Sequence, residues 1–175
     1  ADEAIWLGRL VAALMPQEPE ALGLLALMLY SNARRGARRD GEGDYVPTAA
    51  QDVSRWDASM IDEAESLLHR ANSMGISGRY QLEAALQSAH SVRRTGAAVP
   101  WAAIVGLYDA LYALTGSPVT ALNRAVASAE IDGPQSALLA LDALAGDARL
   151  SDYQPYWAAR AELLARTGAA RDARD

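Results

Sequence analysis

The sequence has no cysteine, no phenylalanine and no lysine. Without cysteine there are no disulfides, thiolate metal sites or cysteine nucleophiles, which fits a reducing cytoplasm. Phenylalanine is missing and β-branched residues are sparse, while alanine and leucine dominate, a bias that favours helix over strand. With no lysine, arginine supplies all 16 basic residues, a composition of the kind a GC-rich genome produces. Positive charge is also short overall, since 22 Asp and Glu leave a net charge of −6. Nucleic-acid binding usually shows as a basic stripe, because phosphate contacts carry much of the affinity. The acidic balance therefore argues against direct DNA binding. Long hydrophobic runs are lacking too: the apolar stretch Ala21–Tyr30 is about half of the ~20 residues needed to cross a bilayer. Asp2 and Glu3 stand where a secretory signal would be basic.

What is present reads as a folded, all-α protein. A hydrophobic fraction of 51% in 175 residues is enough for one complete core. One domain over 1–175 is expected, with a helical part and an irregular loop in 1–99 and a repeat-like part in 100–175. The chain starts with Ala, and Arg171–Asp175 read as the inside of a further helix, so a piece of a larger protein is expected.

Apolar spacing predicts helices almost throughout. The first runs from Asp2 to Met15, with Trp6, Leu10 and Leu14 on one face. The second opens at Pro19, a favoured first-turn residue, and reaches Arg35. Its middle, Leu22 to Leu29, has no polar face, as expected of a helix central to the fold. The stretch 36–53 is irregular, and Asp40-Gly41-Glu42-Gly43-Asp44 between Arg38-Arg39 and Tyr45-Val46 suggests a small β-hairpin. Ser54 reads as the cap of a third helix carrying Trp56, Met60, Ala64, Leu67 and Ala71 inward. A fourth carries Leu82, Ala85, Leu86 and Ala89. A fifth follows Pro100, with Trp101, Ile104, Val105, Tyr108, Leu111 and Tyr112 at helical spacing. Further helices are expected over Val119–Glu130, from Gly133-Pro134 through Leu144, over Tyr153–Arg166, and from Gly168 onward. Gly133 and Gly168 lie about 35 residues apart, close to the ~34 of a tetratricopeptide repeat. The fold class expected is thus an array of antiparallel helical hairpins with one hairpin or irregular loop.

Catalytic signals are few. His69 and His90 fall on separate helices without a histidine three or four residues on, so a surface or locally bonded role outweighs metal binding. Asp57, Asp62, Glu63 and Glu65 read as a solvated acidic face. No phosphate loop, nucleophile elbow or zinc spacing is present, and neither enzymatic activity nor a cofactor is expected. Two constellations suggest contact instead. Asn32, Arg34, Arg35, Arg38 and Arg39 stand at the end of the second helix, where cations also complement the helix dipole. Gln51-Asp52-Val53-Ser54-Arg55-Trp56 closes the irregular loop, either as a contact surface or as a pin holding loop to helix. If the two converge, they form a docking patch or a small-ligand pocket lined by Arg34, Arg38, Gln51, Asp52, Arg55 and Trp56. Tyr80-Gln81 and Asn123-Arg124 are further candidates, with plain hydrogen-bonding roles as the simpler alternative.

The stretches Glu3–Leu10, Leu22–Leu29, Gln51–Trp56, Tyr80–Ala85 and Ser117–Ala127, in this order, resemble the C-terminal region of extracytoplasmic-function sigma factors with a tetratricopeptide-like extension. The resemblance covers nearly the whole chain. Where the family carries a His-Asp-like pair, this chain has Ser31-Asn32 before Ala33-Arg34-Arg35. The resemblance implies a regulatory interaction module of a cytoplasmic transcription initiation factor. Its implied partners are the promoter-binding regions of the sigma factor in cis, and core RNA polymerase or a regulatory protein. No helix-turn-helix with a basic recognition helix is found, so the fragment itself is not expected to contact DNA.

Overall fold

In the computed structural model, residues 2–75 and 77–168 are described, and they form an all-α array of eight helices. The expected helix beyond Gly168 and the terminal Arg171–Asp175 lie outside the described residues. The chain divides into two compact units, Ala1–Val99 and Pro100–Asp175.

The first unit is built around α2 (Pro19–Ala33), which packs against α1 (Asp2–Leu14), α3 (Ala58–Asn72) and α4 (Arg79–Ser91). Pro19 opens α2, and the Glu18 carboxylate accepts from the Glu20 amide at 3.3 Å. Leu22, Leu25, Ala26, Leu29, Tyr30 and Ala33 are all buried, so three helices are needed to cover α2. Ile61, Ala64, Leu68 and Ala71 of α3 and Ala84 of α4 complete this core. Inside it, Glu65 accepts from Ser88 Oγ at 2.7 Å and from Ser91 Oγ at 3.3 Å. Burial, and then this carboxylate, push the neighbouring Tyr30 phenol well above its ordinary range.

Close backbone approach fixes where α4 meets α2. The Glu20 carboxylate accepts from the amides of Tyr80 (3.0 Å) and Gln81 (3.1 Å), capping α4 from another helix. Gly78 has no side chain to do so; a Cβ there would stand 2.2 Å from Glu20 Cδ. Gln81 Oε1 accepts from the Gly78 amide at 3.0 Å. On the α2 side, a Cβ on Gly23 would lie 2.7 Å from the Gln81 amide nitrogen. Both glycines serve the approach.

Several expectations shift. The third helix is capped by Asp57, whose carboxylate accepts from the Met60 amide at 3.1 Å; Ser54 instead sits in a 3₁₀ turn capped by Asp52. Asp57 prevails because it stands three residues before that free amide. Trp56 is buried ahead of α3 rather than on it, and Ile61 and Leu68 fill the inward positions, leaving Met60 and Leu67 half-buried. The hairpin reduces to a single antiparallel bridge, Arg39–Tyr45, closed by the Asp40 carboxylate on the amides of Glu42 and Asp44. Trp6, Leu10 and Leu14 do share a face of α1, but it points outward; Ile5, Gly8 and Ala12 make the buried face.

In the second unit, α5 (Trp101–Thr115), α6 (Pro118–Asp132), α7 (Pro134–Asp142) and α8 (Gln154–Arg166) each pack on the next in the chain. Pro118 and Pro134 open α6 and α7, and Gly116 and Gly133 carry the positive φ that the turns before them require. Leu122, Ala125, Leu141, Leu150, Tyr156 and Leu163 belong to its core. Of the apolar residues expected on α5, only Ile104 and Leu111 are buried. α7 stops at Asp142, short of Leu144.

Gly23→Ala should lower stability by about 1–3 kcal/mol, because the new methyl drives into backbone that cannot yield. Gly41→Ala, with nothing within 4 Å, should stay within about 0.5 kcal/mol of the parent. Urea unfolding followed by circular dichroism compares the two, and equal midpoints would refute the close-approach account.

Candidate functional site: an arginine cluster at the end of the central helix

The C-terminal end of α2 runs through a 3₁₀ turn, Arg35–Ala37, into the bridged loop. This path brings Arg34, Arg35, Arg38 and Arg39 together, and Arg55 joins them by donating to the Arg39 carbonyl at 3.4 Å. Arg38 turns back to donate to the Ser31 carbonyl at 2.9 Å, satisfying one of the acceptors that a helix end leaves open. Asn32 Nδ2 approaches Met60 Sδ at 3.4 Å.

Trp56 organises the inner side of the cluster. Its ring is buried and lies 5.9 Å from the Arg34 guanidinium and 5.8 Å from that of Arg93. Such contacts are worth roughly 0.5–2 kcal/mol each, more where water is excluded. Arg34 donates to the Gln87 side chain on α4, and Arg93 donates to the carbonyls of Thr48 and Ala49, tying the loop to the segment after α4. Burial first, then the charge of Arg38, lowers the Arg34 pKa. Gln51 is buried and donates to the Val46 carbonyl at 3.0 Å, while Asp52 accepts from the amide and hydroxyl of Ser54. The Ser54 contacts hold the Asp52 carboxyl below its usual range.

Most arginines outside the cluster are paired. Seven arginines elsewhere form ion pairs: Arg9, Arg79, Arg94, Arg124, Arg149, Arg160 and Arg166. Among the described residues, Arg34, Arg35, Arg38, Arg39, Arg55 and Arg93 form no ion pair with a carboxylate, and neither does Arg70 on α3. Acids are nearby, but Asp40, Asp52 and Asp57 are spent on closing backbone turns. The acidic face expected on α3 is likewise dispersed: Asp62 pairs with Arg94 and Glu63 with Arg9, while Glu65 faces the core serines.

Two surface clefts flank the cluster. One, of about 360 Å³, is lined by Ala4, Ile5, Met28, Ser31, Asn32, Arg35 and Arg38. The other, of about 540 Å³, is lined by Arg35, Arg38, Arg39 and Tyr45. Of the residues expected to line a small-ligand pocket, Arg38 alone borders them; Arg34, Gln51 and Trp56 are engaged in packing, and Asp52 and Arg55 in the loop. Tyr80 and Gln81 stand at the other end of α2, on Glu20. Asn123 and Arg124 belong to the second unit, where Arg124 pairs with Asp109. Gln87 and Arg93 were not singled out from the sequence, and His90 was read there as a surface or locally bonded histidine rather than as a neighbour of the arginines. Gln87 and His90 lie on α4, which reads as an ordinary amphipathic segment, and Arg93 follows it in a 3₁₀ turn, Val92–Thr95. Among the described residues, no three His, Asp or Glu side chains are grouped to hold a metal. No helix of the described residues is long and apolar enough to cross a membrane.

Residues 1–72 match a protein family of unknown function, DUF6596. The match ends with α3, so it includes the arginine run and Trp56 but not α4. An uncharacterized protein of Rhizobium meliloti (strain 1021) is 41% identical over 173 residues, which is 99% of this chain. The chain spans only 40% of the length of that relative. No solved structure matches significantly.

His90 provides a test of the cluster's electrostatics. Its pKa is lowered by burial first, then by the charges of Arg34 and Arg93. The unfolded chain therefore takes up this proton more readily than the folded one. Stability from this site is complete above the ordinary value of about 6.5 and is lost as pH falls through the depressed folded value. Urea unfolding at a series of pH values from about 7.5 down to 5 should show this loss, and His90→Gln should flatten it. An unchanged slope in the variant would refute the assignment.

Proposed function

We propose that the chain is a regulatory, protein-contacting C-terminal domain of an alternative bacterial sigma factor, acting by docking rather than by catalysis. The observation that carries docking is the outer face of α1. Trp6, Leu7, Leu10, Val11, Leu14 and Met15 are all exposed there, Trp6 by 61% and Leu14 by 73%. Surface apolar residues scattered singly are ordinary, but a continuous helix face marks a contact surface. Burying each Leu or Trp would contribute on the order of 1.5–3 kcal/mol, a scale suited to reversible association.

The sigma-factor assignment is supported by the five stretches that resemble the family in order. It also accords with a longer relative, whose remaining length leaves room for other regions. In this reading the α1 face meets the promoter-binding regions of the parent protein in cis, core RNA polymerase or a regulatory protein. The net charge of −6 disfavours DNA as the direct partner. A cytoplasmic location follows from the proposed role.

Promoter-dependent transcription in vitro should separate the parent protein from one lacking this domain. The double variant Leu10→Glu, Leu14→Glu places charge on exposed positions, so circular dichroism should be unchanged while transcription shifts several-fold toward the truncated form. Equal activity and equal polymerase affinity in all three proteins would overturn the proposal.

A further inference from the structure

A second surface of the first unit has a chemistry of its own. The two clefts beside the arginine cluster share Arg35 and Arg38 as a common wall. On one side stand Ile5, Met28 and the amide of Asn32; on the other stand Arg39 and the phenol of Tyr45, which is 69% exposed. No carboxylate lines either cleft. In a chain with 22 acidic residues, this leaves unpaired guanidinium groups directly beside an apolar hollow. Planar guanidinium forks match carboxylates in two-point geometry, and an apolar hollow next to them takes a neighbouring aliphatic side chain.

We infer that these clefts bind an acidic linear peptide segment, with one aliphatic side chain in the Ile5–Met28 hollow and adjacent carboxylates on Arg35, Arg38 and Arg39. The inference rests on the reading of this domain as a protein-contacting module, but not on its belonging to a sigma factor. Charge complementarity selects this occupant over a nucleic acid. The loop tip beside the clefts carries Asp40, Glu42 and Asp44, all exposed, and would repel an extended phosphate backbone. A segment with only a few negative charges passes beside them. The hollow, moreover, offers an aliphatic contact that a phosphodiester chain does not use.

Arg35 is the cleanest position for a test, since its side chain makes no hydrogen bond or ion pair among the described residues. The probe is a rhodamine-labelled twelve-residue peptide of Gly and Ser carrying one Leu followed by three Asp or Glu, titrated with the chain and followed by fluorescence anisotropy. Arg35→Glu should weaken binding at least ~tenfold, while Arg70→Glu, on the exposed end of α3 away from the clefts, should change it less than ~twofold. Arg39→Gln should also weaken it, with circular dichroism confirming that the fold persists. Probes with Gln and Asn for the acids, or Ser for Leu, should each bind at least ~fivefold more weakly, and raising salt should weaken the acidic probe alone. Absence of binding, indifference to Arg35→Glu, or tighter binding of a twelve-nucleotide single strand would each overturn the inference. The transcription experiment can fail independently, because it tests the parent protein and the α1 face rather than these clefts.

Discussion

A helix with no polar side cannot lie on a surface, and α2 imposes that constraint on everything in the first unit. Its apolar residues point in every direction, so α1, α3 and α4 must each cover a part. Coverage is tightest where α4 begins, because Gly23 and Gly78 let the backbones meet and Glu20 supplies the cap that Gly78 lacks. The polar end of α2 emerges on the far side of this packing, and there the arginines gather. The core and the candidate site are thus two ends of one helix.

The segregation of charge follows from the same arrangement. Three of the carboxylates around the loop close turns: Asp40 at the bridge, Asp52 at its 3₁₀ turn, Asp57 at the start of α3. A carboxylate accepting backbone amides lowers the energy of an otherwise open turn. It is then poorly placed to neutralise a guanidinium. Trp56, Gln87 and main-chain carbonyls satisfy Arg34 and Arg93 without neutralising them. A net-acidic protein therefore keeps a group of guanidinium side chains out of ion pairs.

Much of the architecture was legible in the sequence, because helical periodicity and proline and glycine punctuation act locally. The starts of α2 at Pro19 and α5 at Trp101, and the division of helices at Gly133-Pro134, follow directly from those signals. The outward face of α1 did not, since periodicity shows that Trp6, Leu10 and Leu14 share a face without saying which face packs. Ile5, Gly8 and Ala12 make the smaller but closer contact with α2. The arginine run was visible as a cluster, whereas its Gln87, His90 and Arg93 neighbours arrive from α4 and beyond. Trp56 was read both as an inward residue and as part of a loop-end contact; it is buried, and two guanidinium groups rest on its ring. Such meetings depend on tertiary approach, which no local pattern encodes.

The remote cap on α4 also has a kinetic meaning. A residue that caps its own helix can act while the chain is still extended. Glu20 is about 60 positions from the amides it serves, and closing a loop of that length must precede the contact. The Glu20 part of this cap therefore requires α2 and α4 to have met, whereas the Gln81 bond to the Gly78 amide is local to α4. The arginine cluster, which leans on α4 through Gln87, depends on the same long-range approach.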